Sequence, residues 1–187
     1  VQGNRTVTWG EFNARANALA ADMLSNGLTQ QSKVAAYLTN CPEYLETYVA
    51  AFKGGFAPVN TNYRYGPEEV AYLFDNADAE AVIFHSSYAD VLEGIRGRLT
   101  KVKAWYCVRE GADAVPDWAH DYDSLVSVGL HEDVSGPWGR SGDDLLLLYT
   151  GGTTGMPQPS SALLYCAAAP TAKVGILSRK KFRPWSL

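Results

Sequence analysis

The chain has 187 residues, a length suited to one domain or to one and a part of another. Hydrophobic residues make up 47% and charged residues 19%, with a net charge of −4, and this balance excludes an intrinsically disordered chain. No apolar run approaches the ~20 residues that span a bilayer, no basic leader precedes an apolar stretch, and three scattered cysteines (Cys41, Cys107, Cys166) without a C-x-x-C pair argue for reduced thiols in a cytoplasmic protein.

In chain order, strand and helix alternate over the first 150 residues. Thr8-Trp9-Gly10-Glu11 has the form of a capping box, in which a threonine hydroxyl and a glutamate carboxylate satisfy each other's backbone amides. Phe12, Ala16, Leu19 and Met23 then recur at helical spacing, and Ser25-Asn26-Gly27 supplies a stop. Residues 33–39 (KVAAYLT) read as a short apolar strand. Asn40-Cys41-Pro42-Glu43 opens a second helix carrying Tyr44, Tyr48 and Ala51, which ends at Gly54-Gly55. Residues 56–60 (FAPVN) form the next expected strand, 61–66 a loop, and Pro67 the first turn of a third helix with Val70, Leu73, Phe74 and Ala77 inward. Strands are expected at 81–84 and 102–108 (VKAWYCV), and helices at 88–99 and 122–128. Residues 110–120 and 131–143 read as polar loops containing glycine and proline. Residues 144–149 (DLLLLY) are a near-continuous apolar run, the pattern of a central strand buried on both faces of a parallel sheet. The order of elements predicts an α/β domain with a parallel-rich sheet flanked by helices.

Directly after that strand comes Thr150-Gly151-Gly152-Thr153-Thr154-Gly155-Met156-Pro157. Glycines let backbone amides turn toward an anion, and threonine hydroxyls add donors that rotate to meet phosphate oxygens. Two phosphate motifs are excluded by spacing. A Walker A loop needs Gly-Lys five residues after its first glycine, where this chain has Met156, and the G-x-G-x-x-G order of dinucleotide folds is missing. A bland turn would not concentrate three glycines and three threonines behind a buried strand.

These residues resemble the adenylate-forming superfamily of acyl-CoA synthetases, luciferases and peptide-synthetase adenylation domains. YTGGTTGMP is similar to that family's phosphate loop, Thr8-Trp9-Gly10-Glu11-Phe12 to its first core motif, and Lys53-Gly54-Gly55-Phe56-Ala57-Pro58-Val59-Asn60 to its second. Asn62-Tyr63-Arg64 and Pro67-Glu68-Glu69 continue the pattern as in acyl-CoA synthetases, so the resemblance covers residues 1 to 157. The GTTGMP and NTNYR segments lean toward ligases of fatty-acyl or sterol side-chain acids. The resemblance implies an incomplete N-terminal domain of the adenylate-forming fold and a two-step reaction. A carboxylate attacks the α-phosphate of Mg-ATP to give an acyl-adenylate and pyrophosphate, and coenzyme A then takes the acyl group. It also assigns Thr150, Gly151, Gly152, Thr153, Thr154 and Gly155 to the ATP phosphates, with no complete catalytic set and no metal ligand in this chain.

The pattern breaks after Pro157. The family continues with Lys-Gly, whereas this chain has Gln158-Pro159. The break coincides with a change of charge: all 20 acidic residues lie at or before Asp144, and the last 43 residues carry only the bases Lys173, Arg179, Lys180, Lys181 and Arg183. A partial AMP-binding domain at 1–157 is therefore expected, followed by a divergent basic tail at 158–187, frameshifted or disordered. The resemblance then makes the chain an N-terminal fragment of an acyl-CoA ligase, inactive alone. A non-catalytic nucleotide-binding module that keeps only the phosphate loop is the alternative, and a nucleic-acid-binding tail rests on five charges alone. His85, His120 and His131 stand at no metal-ligand spacing, Cys41 and Cys107 read as buried inert thiols, and Asp143-Asp144 as a solvated turn.

Overall fold

The computed structural model describes residues 6–141, 144–150 and 158–164. In order, these form α1 (Trp9–Ser25), β1 (Lys33–Tyr37), α2 (Pro42–Gly54), β2 (Ala57–Asn60), α3 (Pro67–Asn76) and β3 (Ala79–His85). A 3-10 turn at Ser86–Tyr88 leads into α4 (Ala89–Arg96), β4 (Ala104–Val108), β5 (His120–Asp121), α5 (Tyr122–Ser127), β6 (Leu145–Thr150) and β7 (Gln158–Leu164). The local signals act as their chemistry requires. The Thr8 hydroxyl accepts the Glu11 amide at 3.2 Å while the Glu11 carboxylate accepts the Thr8 amide at 2.8 Å. Pro42 and Pro67 occupy first turns, and the Glu69 carboxylate reaches back to the Gly66 amide at 2.9 Å. The fourth helix is shorter than the expected 88–99. Gly94 and Gly97 weaken it, and the Arg98 and Leu99 amides donate three residues back, to Ile95 and Arg96.

The strands form one sheet in the order β5-β4-β3-β1-β2-β6-β7, parallel throughout except for the β6–β7 pair. Its side chains alternate between two cores. Ala81, Ile83 and Tyr106 face α1, α2 and α5, while Val82, Phe84 and Cys107 face α3 and α4. The expected centre is corrected: β1, buried from Val34 to Tyr37, is central, and β6 lies second from the edge. A run of four leucines mimics double burial, yet of them only Leu147 is buried, together with Tyr149.

Two further departures concern segments read as loops. Residues 110–120 end in the short strand β5, paired with β4 through Tyr106↔His120. Residues 131–143 bring Trp138 into the core, where its indole donates to the Gly54 carbonyl at 3.0 Å. The domain limit expected at residue 157 does not coincide with the end of the sheet. Gln158–Leu164 pair antiparallel with β6, from Thr150↔Gln158 to Leu145↔Leu164. Pro159 is tolerated there because β7 is the edge strand among the described residues, where a missing amide need not break a ladder. Residues 165–187, including Cys166 and the basic cluster, lie outside the described residues. No helix among the described residues is long and apolar enough to cross a membrane.

Candidate phosphate site at the C-terminal edge of the sheet

Parallel pairing places the C-terminal ends of β1, β2, β3, β4 and β6 along one edge. Chain order reverses about β1: α2 leads to β2 on one side, and α3 crosses back to β3 on the other. Ligands of open α/β sheets bind beyond the strand ends where the order reverses in this way. This edge is polar. Thr39 Oγ1 and His85 Nε2 lie 3.1 Å apart, and the Ser86 hydroxyl donates to Asp113 at 2.8 Å while accepting the Glu110 amide at 2.9 Å. The Tyr37 hydroxyl donates to the Tyr65 carbonyl at 2.8 Å, and its ring stacks on Tyr88 at 4.1 Å. Removal from water pushes the Tyr37 phenol up to about 12, so it stays a neutral donor. Two buried atoms on this edge, His85 Nδ1 and Thr61 Oγ1, have no hydrogen-bond partner among the described residues.

Of the residues assigned to the ATP phosphates, Thr150 closes β6 at this edge. Gly151, Gly152, Thr153, Thr154 and Gly155 lie outside the described residues. What the structure adds is the mounting of the residue before the loop. Tyr149 is buried, and its hydroxyl donates to Asn76 Oδ1 at 2.8 Å, at the last residue of α3. Its backbone is held by the Asn60 side chain, whose Oδ1 accepts the Tyr149 amide at 2.7 Å and whose Nδ2 donates to the Tyr149 carbonyl at 3.3 Å. In the sequence Asn60 stands out only as the last residue of the second core motif. The available signal was an amide side chain, disfavoured in strands, closing an otherwise apolar strand.

The remaining candidates separate from this edge. Burial raises the Cys41 thiol to about 12 and the Cys107 thiol to about 11, so neither is an activated nucleophile. Cys41 is half-buried and Cys107 fully buried. His120 stacks on Tyr106 at 5.3 Å, and His131 is exposed in the loop after α5. Among the described residues no group of three or more His, Cys, Asp or Glu is placed to hold a metal ion. Asp144 is corrected from a solvated turn residue to a buried one: its carboxylate accepts the Ser141 amide at 3.1 Å, closing the turn that feeds β6. It stands at the opposite end of β6 from Thr150.

The order of strands and helices is that of a doubly wound α/β sheet, the class of fold in which ligands bind beyond the strand ends. Residues 1–159 match the family model of the AMP-binding enzyme, and the chain belongs to that family. It is 35% identical over 159 residues to the 3-oxocholest-4-en-26-oate–CoA ligase of Rhodococcus rhodochrous, an alignment covering 82% of this chain and 28% of that protein. It is 34% identical over 173 residues to the medium-chain acyl-CoA ligase Mig of Mycobacterium avium, covering 84% and 31%. The fold superimposes on the crystal structure of the anthranilate CoA ligase AuaEII in complex with anthranoyl-AMP with a TM-score of 0.76 at 20% identity, covering 86% of this chain and 30% of that one. The chain thus spans less than a third of the length of each of these relatives.

Proposed function

We propose that this chain supplies the phosphate-holding part of an ATP-dependent carboxylate–CoA ligase. In the first step a carboxylate oxygen attacks the α-phosphorus of ATP, the bond to the β-phosphate oxygen breaks, and pyrophosphate leaves. The thiol sulfur of coenzyme A then attacks the acyl carbonyl and AMP departs. Thr150, Gly151, Gly152, Thr153, Thr154 and Gly155 hold the β- and γ-phosphates, aiming amides and hydroxyls at oxygens that gain charge as pyrophosphate leaves. The observation that supports this reading is that β6 ends with Thr150 at the C-terminal edge of the sheet, directly after a tyrosine fixed at both backbone and ring, and the Gly/Thr segment follows it in sequence. Magnesium would arrive with the ATP phosphates, since such ions are held largely by substrate oxygens and water. The acid is of the fatty or sterol side-chain class named for the relatives, and both ATP and coenzyme A suit a cytoplasmic enzyme.

Adenylate formation needs the carboxylate and the α-phosphate held together in near-attack geometry. The loop alone does not do this, and Gln158 brings no positive charge where the family pattern has lysine. The purified chain is therefore expected to bind Mg-ATP weakly, with a Kd of roughly 1 mM, near the −4 kcal/mol of a single anion subsite. Replacing Thr153 and Thr154 together with alanine should abolish that binding. Fatty-acid-dependent ATP–pyrophosphate exchange should stay at the enzyme-free level. Exchange above that level, lost in the double alanine variant, would show a working enzyme. Mg-ATP binding indifferent to those threonines would reject the loop assignment, and tight binding without exchange would favour a nucleotide-binding module.

A further inference from the structure

We draw no further inference here: the strongest candidate, the polar side-chain cluster of Thr39 and His85 at the C-terminal ends of β1 and β3 with its buried, unpartnered Nδ1, belongs to the ligand-receiving edge already described, and nothing among the described residues shows which group would meet that nitrogen.

Discussion

Glu46 is fully buried on α2, and it is the residue whose loss should be felt most in stability. One carboxylate oxygen accepts Arg15 Nε from α1 at 2.8 Å, and the other accepts the Tyr122 hydroxyl from α5 at 2.7 Å. One side chain thus ties together the three helices on one face of the sheet. Replacing it with alanine strands a guanidinium and a phenol, and removing one member of a buried pair costs about 3–5 kcal/mol. The Arg15 side chain keeps 16% exposure and has Glu43 at 3.8 Å and Asp123 at 3.7 Å, so the lower end, about 3 kcal/mol, is expected. At this chain length that corresponds to a drop in Tm of roughly 6–12 °C. Tyr122→Phe removes only one bond and leaves Glu46 its arginine, for a cost of about 1.5 kcal/mol. Urea unfolding followed by circular dichroism measures both substitutions and the double variant. Because Tyr122 acts through Glu46, the double variant should cost little more than Glu46→Ala alone. A Glu46→Ala cost below about 1 kcal/mol, or full additivity, would refute the account of this network.

Removal from water raises the Tyr48, Tyr106, Tyr122 and Tyr149 phenols above the ordinary tyrosine value of about 10. The unfolded chain therefore sheds these protons first, so stability should be intact below pH ~10 and fall as pH rises beyond it, read as a cooperative phenolate step coincident with loss of circular dichroism. Gradual ionisation near the ordinary value with the fold intact would contradict this. Gly55 caps α2 at φ 70°, and an added Cβ would meet the Trp138 indole, whose N–H bonds the Gly54 carbonyl. Gly55→Ala should cost about 2 kcal/mol or more, combining left-handed strain with displacement of Trp138. Urea unfolding by tryptophan fluorescence checks it, and an unchanged midpoint would show that the cap carries no strain.

The parts of the fold that were legible in the sequence are those fixed by short-range chemistry. Thr8 and Glu11 cap a helix through their own neighbours, and Pro42, Gly55 and Pro67 act through single backbone torsions. Strand order is not written that way. The leucines of β6 satisfy the pattern of a central strand, but their exposure depends on what lies beyond β2, which no local spacing encodes. Trp138 and β5 are not legible in the sequence for the same reason, since each gains its place through partners 30 or more residues away or through two backbone pairs. The candidate site divides likewise. Its Gly/Thr composition is visible in seven consecutive residues, whereas the clamp that mounts it joins Asn60 to Tyr149 across 89 positions.

The junction after Pro157 shows that continuity of the sheet and continuity of the chemistry are separate questions. β7 pairs with β6 through main-chain groups, and an edge strand of Gln, Pro, Ser, Ala and Leu can supply these without any particular side chain. Phosphate binding is far less tolerant of sequence, because it depends on where positive charge and donors stand. Gln158 pairs with Thr150 in the ladder, yet it offers a neutral amide at the position where the family pattern has lysine. A hydrogen bond from an ionised donor is roughly twice as strong as one from a neutral donor. Under the proposed assignment of residues 150–155 to the ATP phosphates, the strand continues past the loop while the loop lacks the lysine's charge, which is why weak binding without turnover is the behaviour expected of this chain.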